Sequence, residues 1–184
     1  MTVVASNYAR KENDLYQTEP WATEALLRCL PDLTSTVWEP AAGNHMIADV
    51  LRDRGMKVLT SDAKTYNREH DEELDFLNSR VAGYPKNMIT NPPYGRGNRD
   101  AAKWARLALM RCPCWVALLL TAKFDFGKTR VDLFRDEPRF YAKVALLDRV
   151  QWFPGDHGGT EDHAWYVWGP AEYESPTIFW EGRE

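Results

Sequence analysis

The sequence predicts an α/β fold: a doubly wound, mostly parallel sheet with an antiparallel hairpin at one edge. Strand-like segments alternate with helix-like segments along most of the chain, which is the pattern of a parallel sheet covered by helices. The segment "CWVALLLTA" is apolar enough to be buried on both faces, as a central parallel strand is. The last two strand-like segments, "KVALLDRVQW" and "HAWYVWGP", have no helix between them and therefore predict the hairpin.

The individual elements follow in order along the chain. "TEPWATEALLRCL" is predicted as a helix, with Thr18 as its N-cap, Pro20 in its first turn and apolar residues on one face. The strand "STVWEP" leads through the small-residue turn "AAGN" to the helix "HMIADVLRDRG", which Gly55 closes. "KVLTSD" and "PKNMIT" are further strands, separated by a short charged segment and "LDFL". A helix "RDAAKWARLALMR", the central strand and a shorter helix "VDLFRDEP" precede the hairpin.

A chain of 184 residues is long enough for one domain with a full core, and its composition is that of a globular protein. We expect residues 1–15 to be a flexible tail and residues 16–184 to be a single domain. The longest apolar run, residues 115–122, is too short to span a bilayer, and the first residues lack the pattern of a signal peptide. The three cysteines always leave one unpaired and have no zinc-site spacing, so a cytoplasmic location is expected.

The net charge of −4 does not indicate a nucleic-acid-binding protein, but the charge is unevenly distributed. Residues 67–75 are acidic, whereas residues 95–111 are basic apart from Asp100. Binding depends on the local field near a site rather than on the total charge, so a nucleic-acid partner remains open.

Three polar residues stand at predicted strand ends. Glu39 follows the first strand, Asp62 ends the second and Asn91 follows the strand "PKNMIT". Ligands of doubly wound sheets bind beyond the carboxyl ends of the strands, so we expect these side chains at one site.

The turn "WEPAAG" and the residues after it suggest a pocket for an adenosine-bearing cofactor. Small residues let a ligand approach the backbone, Gly43 tolerates backbone angles that other residues avoid, and the next helix offers free N–H groups. Asp62 is placed to accept hydrogen bonds from two ribose hydroxyls, while Asp75 and Phe76 offer an acceptor and a ring for stacking. Each feature alone could be a simple turn or a helix cap; their order along the chain favours the cofactor. "GNHMIA" lacks the later glycines of a dinucleotide-binding fingerprint.

The segment "ITNPPYGRGN" predicts a rigid functional loop. Proline restricts the residue before it, so the side-chain oxygen of Asn91 and the carbonyl of Pro92 form a fixed pair of acceptors. A planar NH2 group has two matching donors, and Tyr94 offers a face on which a base can stack. Such a site works by positioning the amine, and it needs no strong general base before the amine nitrogen attacks its electrophile. An amine in a DNA duplex is inaccessible within the base stack, so the target base must be flipped out or already single-stranded. The structural alternative, a turn built from prolines, does not explain Tyr94.

Together these motifs resemble those of S-adenosylmethionine-dependent amino-methyltransferases, most closely the DNA adenine-N6 branch. "NPPY" after a hydrophobic strand resembles the catalytic motif, "YQTEPWATEALL" the N-terminal helix motif and "WEPAAGNHMIADVL" the cofactor loop. "FDFGKTR" and "DHAWYVWG" resemble later motifs of small phage and prophage enzymes. The resemblance covers nearly the whole chain. It implies a Rossmann-like class I methyltransferase fold, S-adenosyl-L-methionine as cofactor, and methyl transfer to adenine N6 in DNA.

The resemblance also implies roles for individual residues. The catalytic residues would be Asn91, Pro92, Pro93 and Tyr94. The cofactor-binding residues would be Tyr16, Thr18, Trp21, Glu39, Pro40, Ala41, Gly43, Asp62, Asp75, Phe76 and Asn91.

The sequence departs from this family in two respects. No target-recognition domain follows the catalytic motif, so specificity is expected to be relaxed, to cover a short context, or to come from a partner subunit or homodimer. Only nine residues separate Leu77 from Asn87, so the usual intervening helix is shortened or missing.

Residues that would hold the nucleic acid follow the catalytic motif. A helix would place Arg99, Lys103 and Arg106 on one stripe, where they could contact phosphates. The alternative is that this stripe is only the solvated face of a surface helix. Lys123 follows the strand "CWVALLLTA" and so faces the ligand side. The loop "QWFPGDHGGTEDH", with Trp152, Phe153 and His157, is long enough to fold over a substrate, although its aromatic residues could instead be core. The predicted substrate-binding residues are Tyr94, Arg96, Arg99, Lys103, Lys123 and Trp152.

Other functions remain open at this stage. RNA (adenine N6 or guanine N2) or a protein glutamine also offers an NH2 group to the acceptor pair. A non-catalytic subunit of a modification complex is a third alternative. Such a subunit would be expected to have lost Asn91, Pro92 or Tyr94, and this sequence retains all three.

Overall fold

The computed structural model describes residues 15–30, 33, 36–80, 83–152 and 161–183. Within these residues the chain forms one mixed sheet with helices on both faces. Its helices are α1 (Pro20–Cys29), α2 (Met46–Asp53) and α3 (Arg99–Arg111). Its strands are β1 (Val37–Glu39), β2 (Val58–Asp62), β3 (Glu72–Glu73), β4 (Asn87–Thr90), β5 (Val116–Thr121), β6 (Phe140–Leu146), β7 (His163–Trp168) and β8 (Thr177–Glu181). Short 3-10 segments cover Arg96–Asn98, Phe124–Phe126 and Lys128–Leu133.

The strand order across the sheet is β3-β2-β1-β4-β5-β7-β6-β8. Neighbouring strands are parallel except where β7 pairs with β5 and β6. The predicted doubly wound, mostly parallel sheet and the antiparallel β6–β7 pair are therefore confirmed. The sheet has two more strands than expected: β3, which pairs parallel with β2, and β8, which pairs parallel with β6. Because β7 runs antiparallel to the other strands, its first residue lies beside the carboxyl ends of the parallel strands.

Strand β5 separates two apolar cores. Ala117 and Leu119 pack with the residues of α1 and α2, whereas Leu118 and Leu120 pack with those of α3. The alternation follows from the period of two along a strand, and each fully buried leucine contributes about 1.5–3 kcal/mol. Every residue of β5 is buried, as its composition predicted.

Helix α1 differs in its cap from the sequence prediction. The N-cap is Glu19, not Thr18, and no side chain caps the helix. Thr18 is buried, and its hydroxyl has no hydrogen-bond partner among the described residues. The Trp165 Nε1 donates to the carbonyl of Ala22 (2.7 Å), which holds α1 against β7. Residues 15–18, just before the helix, lie beside the carboxyl ends of β1 and β4.

Two connections depart from regular helix. The segment predicted as the helix "VDLFRDEP" is only partly helical, because the 3-10 segment Lys128–Leu133 ends where Phe134 leaves helical geometry (φ −127°, ψ −76°). Between Asp75 and Asn87 the described residues contain no helix, as the short spacing predicted. In the part of the chain that the structure describes, no helix is long and apolar enough to cross a membrane.

Candidate active site

The carboxyl ends of three parallel strands meet at the predicted ligand edge. Glu39 is the last residue of β1, Asp62 is the last residue of β2, and Asn91 directly follows β4. Because β1 lies between β2 and β4, these ends are neighbours. Glu39 and Asn91 line one cavity, and Asp62 lines another that shares Ala41 with it.

The turn after β1 is held by β2 and packed against the segment before α1. The Gly43 N–H donates to Asp62 Oδ2 (2.9 Å), so the acid that ends β2 also orders the turn. Gly43 has a φ of +50°, and a Cβ there would lie 2.7 Å from Leu15 Cδ1. A larger residue would therefore be strained and would also collide with Leu15.

The first cavity lies between this turn and residues 15–18, which we call the strap. Its free volume is about 20 Å³, enough for about one water molecule. Six of the residues predicted to bind the cofactor line it: Tyr16, Thr18, Glu39, Ala41, Gly43 and Asn91.

Glu39 is the most unusual group in the first cavity. It is 1% exposed, and its Oε2 has no hydrogen-bond partner among the described residues. Burial raises the pKa of this carboxyl well above its usual range, opposed by the backbone of Ala48 and the charge of Arg52. A buried oxygen without a partner is costly unless a ligand satisfies it, and a cation such as an ammonium group would do so.

Replacing Glu39 with glutamine is expected to reduce the loss of stability on raising the pH. A carboxyl whose pKa is raised by folding contributes its full stability below the unfolded pKa and loses it as pH rises through the folded pKa. Wild type should therefore lose more free energy of unfolding than Glu39→Gln between about pH 5 and pH 8. Urea unfolding of both proteins without cofactor at the two pH values measures this difference. Equal losses would show that Glu39 does not titrate as its burial requires.

The second cavity has a volume of about 270 Å³. The predicted residues that line it are Pro40, Ala41, Asp62, Asp75, Phe76 and Pro93. Burial raises the pKa of Asp62, while the N–H groups of Gly43 and Lys64 lower it. Each Asp62 oxygen accepts one of these N–H groups, at 2.9 Å and 3.4 Å, and a carboxylate has further lone pairs for a ligand.

Asp75 and Phe76 lie at the second cavity but are held differently from the sequence interpretation. Asp75 caps its own turn, since Oδ1 accepts the N–H of Leu77 (3.0 Å) and Oδ2 accepts the side chain of Asn78 (2.7 Å). These hydrogen bonds, led by the Asn78 side chain, lower the pKa of Asp75. The Phe76 ring is buried and stacks on Trp104, with centroids 4.0 Å apart. It therefore serves the core as well as the cavity wall, and it is not the open stacking face that was expected.

Trp21 lines neither cavity. Its indole N–H donates to Glu19 Oε2 (3.0 Å), and the guanidinium carbon of Arg183 lies 5.1 Å from its ring centroid. Trp21, a residue of α1, therefore contacts Glu19 and Arg183 rather than the walls of the cavities.

The "NPPY" loop is fixed at both ends. The Asn91 Nδ2 donates to the carbonyl of Tyr16 in a long hydrogen bond (3.4 Å), and its Oδ1 has no hydrogen-bond partner among the described residues. The carbonyl of Tyr94 accepts the N–H groups of Asp100 and Ala101 at the start of α3 (both 3.2 Å). Gly95, with a φ of +66°, packs so closely on Asp100 that a Cβ would overlap the carboxylate.

An aromatic cluster borders this loop. The rings of Tyr94 and His163 are 6.0 Å apart, and the ring of Trp152 lies 5.0 Å from that of His163. His163 is buried, and burial lowers its pKa. The sequence interpretation did not single out His163. The sequence could in principle have identified it. His163 is the first residue of an antiparallel strand, and such a strand begins on the ligand side, where the parallel strands end.

Two of the three residues in the predicted basic stripe on α3 form ion pairs. Arg106 contacts both carboxylate oxygens of Asp132 (2.6 and 2.9 Å), and Lys103 contacts Asp100 (3.0 Å). Arg99 is exposed and has no ion pair among the described residues. Two further residues, Arg96 and Lys123, are also exposed, and Lys123 lies 3.9 Å from Glu161. Phe153 and His157 of the predicted substrate loop lie outside the described residues.

Comparison with known proteins identifies the fold. No protein-family model matches the chain, and no curated protein matches it in sequence. Among solved structures, it resembles a provisionally assigned modification subunit of a type I restriction enzyme from Vibrio vulnificus (14% identity, TM-score 0.58, covering 95% of this chain and 48% of that one). A provisionally assigned RNA methyltransferase from Pyrococcus horikoshii is also similar (16% identity, TM-score 0.59, covering 80% and 82%).

A provisionally assigned class I S-adenosylmethionine-dependent methyltransferase from Listeria monocytogenes is a third similar structure (10% identity, TM-score 0.55). The match covers 88% of this chain and 62% of that protein. The chain thus spans about half of the Vibrio protein and less than two thirds of the Listeria protein. At these identities the similarity establishes the class I methyltransferase fold, which agrees with the fold expected from the sequence.

Proposed function

We propose that this chain transfers a methyl group from S-adenosyl-L-methionine to the exocyclic N6 amine of adenine in DNA. The observation that carries the proposal is the position of Asn91. Its side chain lines the first cavity, and the bond from Nδ2 to the strap leaves Oδ1 to accept an amine hydrogen.

The residues of the two cavities fit this cofactor. Glu39 offers an oxygen without a partner to the ammonium of the methionine end, and Asp62 offers lone pairs to the ribose hydroxyls. The larger cavity, beside Asp75, has room for the nucleoside part. When bound, the cofactor would supply an electrophilic methyl group, and it would leave as S-adenosylhomocysteine when its carbon–sulfur bond breaks.

The chain's own contribution is to hold the amine. Asn91 Oδ1 and the Pro92 carbonyl would accept its two hydrogens, which draws the nitrogen out of conjugation and directs its lone pair. Because the nitrogen keeps its protons until after attack, no base is needed before that step. The target adenine must lie outside a base stack, where the ring of Tyr94 can support it.

Tyr94→Phe is expected to preserve methyl transfer and not to lower stability. The Tyr94 hydroxyl is buried without a partner among the described residues, and burial raises its pKa, so removing it relieves a cost of about 1–3 kcal/mol. Tyr94→Ala should instead weaken substrate binding by about 5- to 150-fold, because base stacking contributes about 1–3 kcal/mol. Thermal unfolding and Michaelis constants on the same DNA measure both effects. A large loss of activity in Tyr94→Phe would assign the hydroxyl a direct role.

RNA is the second candidate substrate, because the Pyrococcus protein is described as an RNA methyltransferase and the acceptor pair suits any planar amine. The decisive experiment supplies methyl-labelled cofactor with single-stranded DNA, duplex DNA, RNA or protein, using Asn91→Ala as the blank. Label in DNA that digests to N6-methyl-2′-deoxyadenosine is the expected result. Label confined to RNA or to protein glutamine would refute the DNA assignment, and no label anywhere would favour a non-catalytic subunit.

A further inference from the structure

A path of side-chain contacts leaves the "NPPY" loop at one residue and returns to it at another. From Asn91 it passes by the 3.4 Å hydrogen bond to the backbone of Tyr16. The rings of Tyr16 and Trp152 meet edge to face at 5.9 Å, and those of Trp152 and His163 meet edge to face at 5.0 Å. The ring of His163 then lies 6.0 Å from that of Tyr94. The strap over the first cavity and the base-stacking ring are thus joined through two side chains.

The strap end of this path must respond to what fills the first cavity. The cavity has about 20 Å³ of free volume, enough for about one water molecule. An amino acid moiety with its ammonium, carboxylate and side chain is several times larger, so filling the cavity would press on the strap and favour its outward shift. Tyr16 is 40% exposed, and a shift of this residue would change the contacts to both Asn91 and Trp152.

The other end of the path is rigid and faces a polar ligand. His163 is paired with Thr121 in the sheet and is 5% exposed, so it passes on a displacement rather than absorbing it. Nδ1 of His163 and the hydroxyl of Tyr94 are both buried without hydrogen-bond partners among the described residues. Buried polar atoms are normally satisfied, so the unsatisfied Nδ1 of His163 indicates that this wall contacts a group with donors and acceptors, such as a nucleobase.

We propose that Trp152 and His163 are positioning residues that transmit cofactor binding from the strap to Tyr94. The cofactor and the nucleic acid then bind cooperatively, with the cofactor preparing the base site. This inference rests on the proposed function. It differs from the sequence interpretation of Trp152, which made this residue a direct substrate contact.

The test measures the affinity for a fluorescein-labelled single-stranded DNA oligonucleotide with and without saturating S-adenosylhomocysteine. Wild type should bind the oligonucleotide about 5- to 150-fold more tightly in the presence of S-adenosylhomocysteine. In Trp152→Ala the ratio of the two oligonucleotide affinities, with and without S-adenosylhomocysteine, should fall to within about twofold of one. Affinity for S-adenosylhomocysteine alone should be retained, since Trp152 lines neither cavity. Trp152→Phe, which keeps an aromatic edge, should restore most of the ratio.

Two further variants keep the test decisive. Trp115→Ala is the matched control, because Trp115 is also half-buried and meets Tyr141 edge to face (5.2 Å), but it precedes β5 at the opposite edge of the sheet. Its ratio should equal that of wild type.

Tyr16→Ala breaks the same path at an exposed residue and should bring the ratio to about one even if Trp152→Ala does not fold. A wild-type ratio of one, or an unchanged ratio in Tyr16→Ala and in any folded Trp152→Ala protein, would overturn the inference. Absence of S-adenosylhomocysteine binding to wild type would instead overturn the proposed function and this inference with it.

Discussion

Asn91→Ala is expected to lower the rate of methyl transfer by about 10²–10³-fold, the range seen when one preorganised hydrogen-bonding group is removed from an active site. Its affinity for S-adenosylhomocysteine should stay within about threefold of wild type. The reason is that the 3.4 Å bond to Tyr16 is long and contributes little to holding the strap. Single-turnover rates with labelled cofactor and calorimetric titration of S-adenosylhomocysteine measure the two quantities separately.

Asn91→Asp separates the two functions of the Asn91 amide. It keeps an acceptor for the amine hydrogen but loses the donor that binds the Tyr16 carbonyl. We therefore expect Asn91→Asp to retain more activity than Asn91→Ala. If both variants instead lost cofactor affinity and kept the rate of the bound complex, Asn91 would belong to the cofactor site rather than to the amine.

Asp62→Ala is expected to weaken cofactor binding by roughly 100-fold or more, because hydrogen bonds to a charged group contribute about 1.5–3 kcal/mol each. The substitution removes the expected ribose acceptor. It also frees the Gly43 N–H, which Asp62 holds at 2.9 Å, so the turn against the strap loosens as well. Calorimetric titration of S-adenosylhomocysteine measures the loss.

Asp71→Ala is the matched control for Asp62→Ala. The Asp71 Oδ2 accepts the N–H and the hydroxyl of Thr60, both at 2.8 Å, but Asp71 lines neither cavity. Its replacement should lower the free energy of unfolding and leave cofactor affinity unchanged. Equal losses of affinity in the two variants would mean that Asp62 acts only by stabilising β2.

Local patterns in the sequence were sufficient for most of the fold. The predicted limits of α3 agree with the structure at both ends, and the buried composition of β5 identified a central strand. The positions of Glu39, Asp62 and Asn91 also followed from the order of elements, because parallel strands place their carboxyl ends at one edge. Strand β8 was missed, since its outward residues Ile178 and Trp180 are exposed and give no sign of a core face.

The sequence interpretation of individual side chains was less complete. Phe76 stacks on Trp104 rather than offering a free face, and Arg106 pairs with Asp132 rather than standing free for a phosphate. In each case the competing partner is far along the chain and has no local signature. A residue type at a strand end indicates what a side chain can do, but it does not indicate which neighbour engages it first.

The sequence by itself determined the alternation of strands and helices, the strand ends that carry polar groups and the stiffness of the "NPPY" loop. These properties depend on the period of apolar residues and on the backbone limits of proline and glycine, which are local. Only the tertiary structure decided that Trp21 lies away from the cavities, that the strap roofs the smaller one, and that His163 stands beside Tyr94. Those positions arise from packing between segments distant in sequence, where many arrangements satisfy the same local pattern and the shape of the core selects one.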